Sequence, residues 1–256
     1  MIFGFLHPGS GLGNQLFRYV ATRVRAADLG VHFSMIGREN FKGSSFMNTG
    51  STSMGITNNL IFHIEQPAGK IVLENADERL NIWEEETNHY NPEFNFIEDN
   101  TIIDGEFQSI QYFGHRLIDI DEWLKVEPMD IPDDVCVIGF RGGEFYVFPE
   151  LGLPKEYFTD AMRKIYAMNP DITFEVHTDD EDLARKFFPH FKIIHDVGIN
   201  WRSMRYAKYA IIANSSFYIL PRLLNGGMTI APRYWARRNI KEWSRPDNYY
   251  PQFKYI

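Results

Sequence analysis

Residues 1–19 read MIFGFLHPGSGLGNQLFRY, and this stretch decides how the chain folds. An apolar run from Ile2 to Leu6 passes through Gly9, Gly11 and Gly13 and opens a helix at Asn14. Glycine reaches φ > 0 cheaply and carries no Cβ. A loop built this way brings backbone close to another molecule at a helix N-terminus, where free N–H groups face outward. Such a place suits an anion or a sugar, and its plainer alternative is a tight turn packing strand on helix. A dinucleotide fingerprint fits poorly, because Asn14 stands where the third glycine of G-x-G-x-x-G belongs.

Outward from this start, Leu16, Phe17, Val20, Ala21, Val24 and Ala27 mark one helical face ending at Gly30, and Val31 to Met35 reads as a second strand. Gly37 to Thr57 has no clear periodicity and reads as a long connection near the site. Ile71 to Leu73 is a further strand, Glu84 to Asn100 is polar and loop-like, Thr101 to Gly105 returns to the sheet, and Ser109 to Lys125 is helical. The segment VEPMDIPDD at 126–134, with two prolines and four acidic residues, marks a boundary. The two expected domains are 1–127 and 128–256.

Beyond it the alternation is clearer. Val135 to Phe140 is a strand, a helix runs from Pro154 to Met168, and Ile172 to His177 is the next strand. Glu181 to Phe188, Phe191 to Ile194, Trp201 to Tyr209, Ala210 to Ala213, Ser216 to Leu224 and Met228 to Ala231 continue helix against strand, with Pro221 expected to kink or shorten its helix. The expectation is an α/β protein of two halves, the second of them a parallel, Rossmann-like half.

Composition narrows the function. With 256 residues, 44% of them hydrophobic, the chain can bury a sizeable core. A formal charge of -8 argues against nucleic-acid binding through a broad basic surface. Cys136 is the only cysteine, which excludes an intrachain disulfide and a cysteine-based zinc site. Met1 to Leu6 lack the basic start of a signal peptide, and no apolar run approaches the ~20 residues of a membrane helix. The expected location is cytoplasmic, with membrane association at most peripheral.

Polar residues gather where strands end, and open α/β sheets bind ligands at those edges. The segments are GSGLGNQ at 9–15, FRGGE at 140–144, HTDDED at 177–182 and NSSF at 214–217. Their plain alternatives are a turn, an exposed charge pair, a capping box and an N-cap. Arg141 stands out, because flanking glycines leave its guanidinium uncrowded and offer backbone donors for a bidentate grip on a diphosphate. A surface salt bridge to Glu144 is the competing reading. No DxD-type metal-binding triplet stands out. Asp179, Asp180 and Asp182 precede a helix as capping and dipole partners, with Mg²⁺ as the alternative. G-x-S-x-G and H-E-x-x-H are absent.

In order and spacing these segments resemble the α-1,2-fucosyltransferase family. GSGLGNQLFRY is similar to its GGLGNQMFQY, DGEFQSIQYF at 104–113 to its GYFQSEKYF, VIGFRGGEF to its HxRRxD strand motif, and MTIAPRYW to its VIAPKRWF. The resemblance implies a GT-B fold, two Rossmann-like domains whose parallel sheets face across a cleft, with the acceptor on 1–127 and the donor on 128–256. It implies inverting, metal-independent transfer of a sugar, fucose from GDP-fucose, to a hydroxyl of an acceptor glycan, with the nucleotide sugar as co-substrate and no cofactor. Carried over by position, it puts Arg141, Gly142, Gly143, Asp179, Asp180, Asn214, Ser215 and Ser216 at the donor and Gly11, Gly13, Asn14 and Gln15 at the acceptor.

Arg141 then stabilises the leaving diphosphate, and Glu144 and His7 are the candidate bases. Gly139, Gly142, Glu144 and Asn200 depart from the family pattern, where histidine, a second arginine, aspartate and an acidic residue stand. A different nucleotide sugar, or an inactive sugar or nucleotide binder of the same fold, is the alternative.

Overall fold

The computed structural model describes residues 1–47, 62–65, 70–73, 80–86, 89–148, 151–234 and 249–256. Two parallel sheets carry the architecture. The first has the order β2-β1-β6-β5, from β1 (Ile2–Phe5), β2 (Phe33–Ile36), β5 (Asn81–Glu84) and β6 (Thr101–Asp104). The second has the order β12-β11-β10-β7-β8-β9, from β7 (Val135–Phe140), β8 (Thr173–Thr178), β9 (Lys192–Ile194), β10 (Tyr209–Ile212), β11 (Met228–Ala231) and β12 (Lys254–Tyr255). Every pairing within both sheets is parallel. Such sheets are covered on both faces, which accounts for the unbroken burial of β1 and nearly all of β7.

Among the described residues six α-helices complete the layers: α1 (Leu12–Leu29), α2 (Leu117–Trp123), α3 (Lys155–Met168), α4 (Glu181–Phe187), α5 (Val197–Tyr206) and α6 (Ser216–Asn225). Among the described residues no helix is long and apolar enough to cross a membrane. α6 runs on through Pro221 to Asn225. α2 packs on α6, and the segment after it is tied to α5 by Tyr206 Oη donating to the Val126 carbonyl (3.2 Å).

The structure corrects several expectations. β2 begins at Phe33 rather than Val31, because α1 closes with the Gly30 and Val31 amides donating to Ala27 and Ala26. That Schellman arrangement commits Val31 to the helix end. Ser109 to Lys125 is two 3-10 turns, Ile110–Tyr112 and Gly114–Arg116, before α2. Tyr112 and Phe113 are both buried, and a tight turn started by Ser109 Oγ accepting from the Gln111 amide directs both rings inward. The 84–100 region holds the end of β5 and a 3-10 turn, Pro92–Phe96, capped by Asn91.

The strand at 71–73 exists as part of β4 (Lys70–Leu73), which pairs antiparallel with β3 (Phe62–Glu65) apart from the main sheet. The long connection from Gly37 holds a 3-10 turn at Arg38–Asn40, and its part from 48 to 57 lies outside the described residues.

Candidate active site at the facing sheet edges

β1 ends at Phe5, and the chain then crosses from His7 to Gly11 into the N-terminus of α1. In the other half β10 ends at Ile212 and leads through Asn214 and Ser215 into α6. These two helix N-termini meet. A Cβ on Gly13 would lie 2.5 Å from the Ser216 carbonyl carbon and overlap the Phe217 amide nitrogen, so only glycine permits this approach. Asn14 Oδ1 accepts from Ser216 Oγ (2.5 Å) and from Gln108 Nε2 (3.1 Å). Asn14 thus bridges the halves and does not cap its helix. The N-cap positions, Gly11 and Ser215, make no side-chain cap bond, and neither helix has an acidic residue in its first turn. Outward-facing N–H groups and two positive dipole ends are therefore directed to one place.

That place is a cleft of about 680 Å³, within the usual range for small-ligand sites. Gly11, Gly13, Asn14, Arg141, Glu144, Asp179, Ser215 and Ser216 line it, together with Lys42, His195 and Asp196, to which sequence reasoning assigned no role. His7, Gln15, Gly142, Gly143, Asp180 and Asn214 are not among its lining residues.

Gln15 stands apart from the cleft lining. It is fully buried, with Nε2 donating to the Asn40 carbonyl (2.7 Å) and Oε1 accepting from the Lys42 amide (3.0 Å). Its work is to hold the 40–42 backbone. Asn214 is likewise buried, and its Nδ2 donates to the Leu151 carbonyl at 2.9 Å.

The glycine amides beside Arg141 are not open donors either. The Gly142 amide donates to Asp179 Oδ1 (2.9 Å) and the Gly143 amide to Asp180 Oδ2 (2.8 Å). Asp180 also caps α4, accepting from the Leu183 amide at 3.0 Å. The amides of Leu183 and Gly143 hold its carboxyl below the usual carboxylate range. Arg141 itself pairs with Asp179 and, at 3.2 Å, with Glu144, and its guanidinium lies 5.2 Å from the Phe145 ring centre. The salt-bridge reading of Arg141 is thus present in full. Glu144 is the loosely held partner, with 69% of its side chain exposed.

Two departures from the family pattern have steric and hydrogen-bonding explanations. A Cβ on Gly139 would lie 2.8 Å from Tyr218 Cε1 and 2.8 Å from Met204 Cε, so those side chains fill the space a histidine needs. Tyr218 Oη donates to the Phe140 carbonyl at 3.2 Å. Asn200 reaches the neighbouring strand: its Oδ1 lies 3.0 Å from His177 Nδ1, and its Nδ2 donates to the Thr178 carbonyl at 3.0 Å. Burial pushes His177 down to about 4, against the weaker pull of the Asn200 bond.

Connected to Asn14 in the first half lies a polar cluster that sequence reasoning missed apart from His7. His7 Nε2 is 2.9 Å from both oxygens of Asp104, and Arg18 pairs with Asp104 and, at 3.5 Å, with Glu106. Burial alone would raise Asp104. The His7 bond and the Arg18 charge outweigh it and hold the carboxyl below its ordinary value. Gln108 connects Glu106 (3.0 Å) to Asn14. Only the strand order, which sets β6 beside β1, reveals this cluster. Among the described residues no group of three or more His, Cys, Asp or Glu side chains is arranged to hold a metal ion.

No protein-family model matches the chain, and no curated protein matches it by sequence. Solved structures match it in shape. A mutant of Arabidopsis thaliana FUT1 in complex with GDP matches with TM-score 0.50 and 9% identity, over 91% of this chain and 70% of that one. The glycosyl transferase family 9 protein from Veillonella parvula matches with TM-score 0.49 and 11% identity, over 100% and 85%. The fucosyltransferase NodZ from Bradyrhizobium matches with TM-score 0.44 and 12% identity, over 87% and 92%. At such identities the likeness, carried by the first of them, is one of fold. The chain has the two-sheet α/β fold of the GT-B glycosyltransferases. It is a likeness to that fold class and not to α-1,2-fucosyltransferases in particular.

Proposed function

We propose that the chain is a glycosyltransferase that moves a sugar from a nucleotide sugar to a hydroxyl of an acceptor glycan. The observation that carries this reading is the cleft, where the uncapped N-termini of α1 and α6 converge beside Arg141 at the C-terminal edges of two facing sheets. Residues 128–256 take the donor and 1–127 the acceptor, in a cytoplasmic protein. The GDP bound to the Arabidopsis FUT1 mutant of like fold supports a guanine nucleotide, and fucose is the sugar of the α-1,2-fucosyltransferase resemblance.

Departure of a nucleoside diphosphate leaves negative charge that fixed cations and N–H donors must neutralise. Arg141 supplies the cation. An incoming phosphate oxygen displaces Glu144, exchanging one oxyanion for another on the same guanidinium, while Asp179 stays anchored by the Gly142 amide. The reaction inverts the anomeric centre and uses no metal. Asp179 and Asp180 support that reading, since their oxygens already accept from backbone amides.

A second reading has one observation in its favour. Arg141 faces two carboxylates and both neighbouring amides are engaged, which suits a sugar or nucleotide binder without turnover equally well. A thermal-shift panel of GDP, UDP, CDP and dTDP identifies the nucleotide, since a ligand at 100 times its Kd stabilises by about 2.7 kcal/mol. Turnover of the matching nucleotide sugar against a glycan panel then separates enzyme from binder. If no nucleotide shifts the melt, the transferase and nucleotide-binder readings fail and only a binder of sugar alone is left.

A further inference from the structure

We propose that Asp104 is a positioning residue that fixes His7 as the base for the acceptor hydroxyl, an inference that rests on the transferase reading above. His7 Nε2 sits 2.9 Å from each Asp104 oxygen. Arg18 and the Gly105 amide (3.0 Å) also donate to Asp104, so the carboxylate is ionised and can only accept. The proton between the two groups is therefore on Nε2 whenever His7 is neutral, and the lone pair of Nδ1 is left for another proton.

An ion pair between Arg18 and Asp104 needs none of the apparatus around it. Asn14 and Arg18 are four residues apart on one face of α1, and both grip the 104–108 segment, through Gln108 in one case and through Asp104 and Glu106 in the other. Phe107 within that segment has φ 49°, a left-handed conformation costly for a residue with a bulky side chain. Glu85 holds it there, Oε2 accepting from the Glu106 amide (2.7 Å) and the Phe107 amide (3.1 Å). Backbone strain maintained by a dedicated carboxylate is the mark of a segment whose side chains must stay in place. The side chains so placed run from Asn14, on the cleft wall, to Asp104 at the end of β6 and to its partner His7, which lies in the β1–α1 loop ahead of Gly11 of the cleft lining. Glu144, the other candidate base, is paired with Arg141.

In the transfer step the acceptor oxygen bonds to the anomeric carbon as its proton passes to His7 Nδ1. The bond from that carbon to the phosphate oxygen breaks, and its electron pair leaves on the nucleoside diphosphate. The imidazolium so formed is stabilised by Asp104 through the Nε2–H and then returns its proton to solvent.

The test is a double-variant cycle on the full chain with the nucleotide sugar and glycan found by the panels above. Asp104→Asn lowers kcat about 10²-fold or more at unchanged nucleotide affinity, Asp104→Glu recovers part of the loss, and His7→Gln lowers kcat by at least as much. His7→Gln with Asp104→Asn loses no more than His7→Gln alone, because Asp104 acts only through His7. Losses that multiply in the double variant overturn the proposal. Nitrogen-15 spectra of the substrate-free chain give an independent readout, expected to show Nε2 protonated and Nδ1 bare. The opposite tautomer overturns the proposal whatever the kinetics. A wild-type chain without turnover refutes the transferase reading and with it the base role, while the spectrum still decides the pairing.

Discussion

His177 makes stability fall in mild acid. Its ring is fully buried on β8, with Nδ1 held by Asn200 and Nε2 left without a hydrogen-bond partner 3.9 Å from Glu175. Desolvation pushes its titration from 6.5 to about 4, so the unfolded chain binds this proton more readily than the folded one. Stability then rises with pH between the two values and is lost as pH falls from 6.5 through 4. The full loss is on the order of 3 kcal/mol, and between pH 7 and pH 5 it is about 2 kcal/mol.

Urea unfolding of wild type and His177→Gln at both pH values isolates this contribution, because every other titrating group is common to the two proteins. The wild type should lose about 2 kcal/mol more than the variant on going to pH 5. Whatever His177→Gln costs at pH 7 cancels in the comparison. Equal pH dependence in the two proteins would refute the reasoning and mean that the folded state admits a proton at His177 near its ordinary value.

Three further outcomes follow from the cleft. Arg141→Lys keeps the charge and loses the planar fork, so nucleoside diphosphate affinity measured by calorimetry should fall about tenfold or more. Turnover in excess EDTA should equal turnover in Mg²⁺, and loss on chelation with recovery on Mg²⁺ would make Asp179 and Asp180 metal ligands instead. Asn14→Ala removes the acceptor of Ser216 Oγ and one of the two acceptors of Gln108 Nε2, which keeps Glu106, so it should cost about 1 kcal/mol in unfolding experiments and lower kcat/KM while nucleotide binding stays intact.

The elements legible in the sequence are those whose signal is local. The apolar run before the glycines, the stop at Gly30 and the alternation after Val135 each follow from periodicity and turn chemistry, and β1, α1 and β7 to β11 stand within a few residues of where these put them, while β12 carried no such signal. β5 escaped because it is a four-residue strand with a mixed, half-exposed face, paired only with β6 and lacking period-two alternation. The site divided in the same way. Arg141 was visible as a charge among glycines and its pairing with Glu144, three residues on, as the competing reading, whereas its pairing with Asp179 depends on β8 lying beside β7. Asp104 lies 97 residues from His7 and becomes its partner only through strand order. Gln15 looked like a polar residue offered to a ligand, and the backbone of 40–42 took both ends of its amide.

The meeting of α1 and α6 at Gly13 also determines what kind of attraction the cleft exerts. Each helix N-terminus carries roughly half an elementary charge from its aligned peptide dipoles, so the two together present about one unit of positive charge within a turn of the contact. That charge has no proton to lose. It is unaffected by pH, and it is independent of whether Arg141 is engaged by its carboxylates. It belongs to neither half alone, since one helix follows the first sheet's leading strand and the other follows β10. A hinge motion parting the halves would divide it and leave each surface with about half of the charge. Opening the cleft would therefore by itself weaken its attraction for an anion.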